Sequence, residues 1–202
     1  MTQSKDPLQF AEFTPIEFLD NMEDDKHIIM FDENHKYSKK IQFHFLRNGL
    51  EKGEFGIYAM PEDQDTIEKN MEEHGIDVEK YKKENLLNIH NTTHMSQHSH
   101  RDPFDNLSRK IMPSDPANPC RIVGMLNFDM NTQEGLEAFL KSEKKSHSSF
   151  ECFNGSWMCT YPTANIESKN RLNWVKGLTK NHNAVIFTSS KGEGIAFDIK
   201  HH

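Results

Sequence analysis

The run HIIMFDENHKYSKKIQFHFLRNGLEKGEFGIYAMPED, from His27 to Asp63, constrains this chain more than any other segment. His27–Phe31 is apolar at successive positions, which suits a strand buried on both faces of a sheet. Asn34 is placed to cap a helix reaching about Leu50. Ile41 and Phe45 form one apolar stripe of that helix, and Phe43, Leu46 and Leu50 form another, so it is expected to be well buried. Gly53-Glu54 turns the chain into a second buried strand, Phe55–Met60, and Pro61-Glu62-Asp63 opens the next helix. Strand, helix and strand joined by short turns make a βαβ unit, which commits a sheet to parallel pairing with helices laid on its faces.

The rest of the chain repeats that alternation. Residues 1–13 read as a loosely ordered lead, and residues 14–202 as one domain with no internal repeat. Thr14-Pro15-Ile16-Glu17 has a Thr cap, Pro at the first helical position and Glu at the third, and so starts a short helix. After the helix stopped by Gly75, a turn near Val78–Lys82 precedes a third strand, Leu86–His90. Asn91–Pro119 loses all periodicity, apart from a short helix expected near Phe104–Ile111. Excursions of that length in a compact domain are commonly functional. Arg121–Leu126 reads as strand four, followed by a helix from about Thr132 with Leu136, Phe139 and Leu140 inward. Trp157–Tyr161 reads as strand five. A helix over Asn165–Lys180 should place Leu172, Val175 and Leu178 in register, and Ala184–Asp198 should close the chain as a hairpin.

The balance of 31 acidic against 24 basic residues, a formal charge of −7, argues against nucleic acid as a partner, since phosphate neutralisation needs a basic face. No run approaches the roughly 18–20 apolar residues of a spanning helix, and MTQSKDPLQF lacks a signal-peptide core, so a cytoplasmic chain without membrane contact is expected. Three cysteines, Cys120, Cys152 and Cys159, form no CxxC pair and read as buried thiols.

FLRNGLEKGEFGIYAMPED resembles the first βαβ unit of RecA- and KaiC-type ATPases, where a Gly-Leu-x-x-Gly-Glu turn feeds a second buried strand. In those proteins a glycine-rich loop ending in Lys-Thr cradles phosphate ahead of the helix. Here Phe31-Asp32-Glu33-Asn34-His35-Lys36-Tyr37-Ser38 occupies that place without a glycine, and the phosphate-binding lysine falls on Ser38. The order of elements over residues 14–188 further resembles the MEDS family of methanogen, methylotroph and DcmR-type sensory domains. The matching features are Gly49-Leu50-x-x-Gly53-Glu54, Tyr58, Pro61-Glu62-Asp63, Arg121-Ile122-Val123-Gly124-Met125, Trp157-Met158-Cys159-Thr160-Tyr161 and Asn181-His182-Asn183-Ala184-Val185-Ile186. The chain departs from the family at Met125-Leu126-Asn127-Phe128, where an acidic residue and a tryptophan are common. The resemblance implies a three-layer α/β fold with a mostly parallel sheet, strand one central and a C-terminal hairpin at an edge. It also implies a role in sensing small organic molecules.

In open parallel sheets, ligands sit beyond the carboxyl ends of the strands. That rule gathers Phe31, Asp32, Glu33, Glu62, Asp63, His90, Asn127, Asp129 and Tyr161 at one edge, although Asp and Asn there are equally the usual helix caps. Phe31, Asp32, Glu62, His90, Cys159 and Tyr161 are the expected ligand-binding residues, with Asn91–Pro119 as a lid. No catalytic residue and no cofactor are expected, because no nucleophile elbow or phosphate loop is present. No metal is expected either. His90, His94, His98 and His100 are second-rank ligand candidates whose spacing fits no closed zinc pattern. The reading is a non-catalytic sensor for a small organic ligand that acts through a signalling partner, with a homodimer expected by analogy. The competing readings are an interaction module on an inactive ATPase scaffold, and a metal-dependent protein using the His-rich loop.

Overall fold

The computed structural model describes residues 13–23, 25–93, 118–125, 132–150, 154–163 and 166–199. Most of the N-terminal lead, the expected helix near 104–111, nearly all of the Asn91–Pro119 excursion, Asn127 and Asp129 lie outside the described residues. The elements run α1 (Pro15–Asp20), β1 (His27–Asp32), α2 (His35–Leu50), β2 (Phe55–Met60), α3 (Gln64–Glu73), α4 (Val78–Lys83) and β3 (Leu87–Asn91). They continue with β4 (Cys120–Gly124), α5 (Gln133–Phe150), β5 (Gly155–Pro162), α6 (Ser168–Thr179), β6 (Ala184–Thr188) and β7 (Gly194–Asp198).

The seven strands form one sheet in the order β3-β2-β4-β5-β1-β6-β7. Strand β1 lies between β5 and β6 and is parallel to both, and β2, β3, β4 and β5 are joined by parallel pairs. The C-terminal hairpin, β6 with β7, is the antiparallel pair and leaves β7 at the edge. Alternate side chains serve two cores, as the pleat requires. Ile28, Met30, Tyr58, Val123, Met158 and Ile186 pack under α1–α4, while Ile29, Phe31, Ile57, Ile122, Cys159, Tyr161 and Val185 pack under α5 and α6. The sandwich of helix, sheet and helix is the three-layer architecture expected from the βαβ run.

The Gly-Leu-x-x-Gly-Glu turn has a specific physical basis. Arg121 on β4 lies so close to Gly49 that a Cβ there would sit 2.4 Å from its Cδ. Its guanidinium forks onto Glu54, with Nε–Oε2 at 2.6 Å and Nη2–Oε1 at 3.2 Å, and Nη1 donates to the Phe45 carbonyl. Gly53 supplies the left-handed turn at φ 79°. The first glycine therefore makes room for the arginine, the second reverses the chain, and the glutamate neutralises the buried charge.

Helix α6 departs from expectation. Leu172 is 62% exposed, and Trp174 is buried with Leu178 instead. The Trp174 ring packs 4.7 Å from Phe139 of α5. The larger side chain takes the core-facing stripe and rotates Leu172 outward.

Candidate functional site

Beyond the carboxyl ends of β1 and β6 the fold leaves a cleft of about 550 Å³. The chain leaves β1 for α2 on one face of the sheet and leaves β5 for α6 on the other, so a crevice opens where Asp32 lies beside Pro162. Phe31, Ile166, Val175, Phe187 and Ile195 supply its apolar lining, and Glu33, Thr163, Arg171, Thr188, Ser189 and Glu193 its polar groups. The Phe31 and Phe187 rings stack at 5.0 Å to make one wall. Thr163 Oγ1 donates to the Asp32 carbonyl at 3.1 Å and holds the β5 end against β1. Sequence reasoning placed Phe31 at this edge but missed Arg171, Val175 and Ile195, which reach it from α6 and β7. Only the hairpin's fold-back and the position of α6 bring them there.

The other expected site residues are distributed differently. Asp32 ends β1 and anchors the connection to α2, its carboxylate accepting from the Asn34 N–H at 2.8 Å and from Thr188 Oγ1 at 3.3 Å. His90 sits on β3, four strand positions from β1, or about 19 Å at the usual spacing. Burial lowers its pKa. Glu62 lies on the α2 side of the sheet, paired with Lys39. Cys159 and Tyr161 turn into the core under α5, where they are 4% and 1% exposed. His94, His98 and His100 fall outside the described residues.

Where a phosphate loop would lie, only Glu33 and Asn34 separate β1 from α2. Asn34 caps the helix by accepting from the Tyr37 N–H at 3.0 Å, and Ser38 is buried with its Oγ directed to the Met30 sulfur. The cation of this helix is its neighbour, Lys39, whose ammonium donates to Glu62 and to the Tyr58 hydroxyl. Tyr58 in turn donates to Gln42 Oε1 at 2.8 Å, and Gln42 donates to Ser38 Oγ at 3.1 Å. Burial lowers the Lys39 pKa, opposed by the hydrogen bond to Glu62, and burial raises Tyr58 well above the ordinary tyrosine value.

A second polar constellation lies within the α5 side of the core. Glu143 of α5 accepts from the Tyr161 hydroxyl through Oε1, and its Oε2 lies 3.4 Å from His182 Nε2. His182 Nδ1 is 2.7 Å from the Leu178 carbonyl. His27 Nε2 lies 3.6 Å from Cys159 Sγ, and the His27 and His182 rings are 4.0 Å apart. All four residues are buried. Burial pushes the Glu143 carboxyl up to about 7 and Cys159 well above a free thiol, and burial first, then its two histidine neighbours, hold His27 well below the usual imidazole value.

A mostly parallel sheet in this strand order, covered on both faces and closed by a hairpin, defines the RecA/KaiC-like class. Among solved structures, a KaiC-like protein from the hyperthermophilic archaeon Pyrococcus horikoshii OT3 is similar at a TM-score of 0.57. That alignment has 15% identity over 80% of this chain and 71% of that one, a likeness that shows the fold alone. The chain belongs to the MEDS family: the model of the MEthanogen/methylotroph, DcmR Sensory domain matches residues 26–187. Membership gives it a sensory, signalling role. The search of curated proteins returns no match. Among the described residues, no helix is long and apolar enough to cross a membrane.

Proposed function

We propose that this domain is a non-catalytic sensor that takes a small organic molecule in the cleft at the carboxyl ends of β1 and β6. The observation that carries the reading is the cleft itself. It stands at the switch point of an open sheet, its volume suits a small ligand, and aromatic and aliphatic walls meet a few polar groups there. Arg171 donates through Nε to the Ile166 carbonyl at 3.0 Å and stands among the cleft's polar groups beside Glu33 and Glu193. A ligand with an apolar body and a polar end satisfies both. Occupancy would bias the β6–β7 hairpin and α6, and a signalling partner or a second copy of the chain would read that change.

A thermal-shift screen with small alcohols, amines, halocarbons and organic acids tests this. Val175→Trp fills the cleft and should abolish every stabilising shift, whereas Glu62→Ala, on the other face of the sheet, should leave the shifts intact. Shifts that survive Val175→Trp but vanish in Glu62→Ala would move the site to the Lys39–Glu62 side of the sheet.

A further inference from the structure

We propose that His27, Glu143, Cys159 and His182 form a closed site for a zinc-class divalent metal ion, tying α5 to the sheet and to the turn before β6. The site is distinct from the cleft. His27 opens β1 and Phe31 lies four residues further along it, a separation of about 13 Å at the rise of a strand.

Geometry carries the assignment. The four ligand atoms lie within 4.8 Å of one another. Zinc bonds of about 2.0–2.1 Å to nitrogen or oxygen and about 2.3 Å to sulfur give a tetrahedron with N–O edges of about 3.4 Å and N–S edges of about 3.6 Å. The observed separations are 3.4 Å for His182 Nε2 and Glu143 Oε2, and 3.6 Å for His27 Nε2 and Cys159 Sγ. Two opposite edges of the tetrahedron are therefore already at length.

The surroundings prepare the ligands. With Nδ1–H donating to the Leu178 carbonyl, His182 presents the Nε2 lone pair to the site, the arrangement that orients metal-bound imidazoles. Tyr161 donates to one oxygen of Glu143, and the other receives no hydrogen bond from the described residues. A thiol, a carboxyl and two imidazoles buried this closely together are costly where hydrogen bonds leave them incompletely satisfied, and a cation would offset that cost. Two nitrogens, one sulfur and one oxygen suit zinc, and four protein ligands with no open position mark a structural centre. Positions 27, 143, 159 and 182 come from four different elements, so no spacing motif announces them. The proposed set includes none of His90, His94, His98 and His100, the second-rank candidates.

Titration of the metal-free full-length chain with Co²⁺ tests the site. One equivalent should produce intense visible bands of tetrahedral cobalt and a near-ultraviolet thiolate-to-cobalt charge-transfer band. It should also raise Tm, and Zn²⁺ should displace the colour. The charge-transfer band requires a sulfur ligand, so histidines at the C-terminus cannot produce it. Cys159→Ser should remove the band, whereas Cys120→Ser and Cys152→Ser should retain it. Where Cys159→Ser fails to fold, retention in both other variants assigns the band to Cys159. A wild-type chain without the band, or a band lost in Cys120→Ser or Cys152→Ser, overturns the proposal. A failed ligand screen would not touch it.

Discussion

Lys39 and Glu62 show how a single residue's meaning depends on its neighbours. In sequence Glu62 is one acid of a polar turn and Lys39 one of several lysines on a helix. Folded, the Lys39 side chain is 7% exposed and Glu62 22%, and each is the other's counter-charge. The two ends of the pair are not equivalent. Lys39→Met removes the buried cation, leaves Glu62 able to rehydrate at the sheet edge, and keeps the Tyr58–Gln42 bond. Glu62→Gln leaves the buried ammonium against Phe43 and Tyr58 with only the weaker attraction of Asp32 to balance it. Losing one partner of a buried pair costs on the order of 3–5 kcal/mol when the other charge cannot escape, and far less when it can. Urea denaturation should therefore find Glu62→Gln the less stable variant, by about 1–2 kcal/mol; the reverse order would mean that Glu62, not Lys39, is the trapped charge. Cys159 and Tyr161 teach a related lesson. Both were legible as members of a buried strand, but period-two alternation does not say which helix waits over each face. Whether Tyr161 meets a ligand or Glu143 is decided by where α5 lands.

At the scale of elements, the turns were the most readable feature. Thr14 and Glu17 form the reciprocal cap their spacing predicts, and Asp63 and Asp77 cap α3 and α4 one-sidedly, accepting from the N–H groups of Thr66 and Lys80. These are local bonds, written within four residues of chain. Glycines divide by what surrounds them. Gly53 has φ 79°, and a Cβ added there would meet nothing within 4 Å, so Gly53→Ala should cost only about 1 kcal/mol of backbone strain. Gly155 has φ 133°, and a Cβ there would sit 2.0 Å from the Cys120 carbonyl oxygen and 2.5 Å from its nitrogen. That contact is against backbone at the head of the β4–β5 pair, where neither strand can yield without losing its register. Gly155→Ala should destabilise by at least about 2 kcal/mol, and a chemical-denaturation midpoint indistinguishable from that of Gly53→Ala would refute the clash. Helix α6 shows the limit of periodicity. Leu172, Val175 and Leu178 share a stripe on a helical wheel, yet the bulk of Trp174 selects a face rotated from it.

For the whole molecule, we propose that this RecA/KaiC-like sheet does not hold nucleotide at the start of α2. Asp32 and Asn34 side chains already occupy the N–H groups of Asn34 and Tyr37 at the start of α2, and a two-residue connection leaves no loop to wrap phosphate. Isothermal titration with Mg-ATP should show no saturable binding up to millimolar nucleotide, and a micromolar affinity would mean that the β1–α2 junction rearranges. Sequence alone determined the class of this sheet, because buried strands alternating with amphipathic helices can satisfy their backbone and bury their faces only as parallel βαβ units. It also determined the helix caps and the Gly49–Glu54 turn, which are short-range chemistry. The strand order, the cleft walls supplied by α6 and the hairpin, and the meeting of His27, Glu143, Cys159 and His182 were decided only by the tertiary structure. Within that four-residue cluster alone, the members lie up to 155 positions apart, His27 and His182 being the extreme pair. No local preference specifies such a pair: it exists because packing two helices onto one face of the sheet leaves those four side chains a single shared interior.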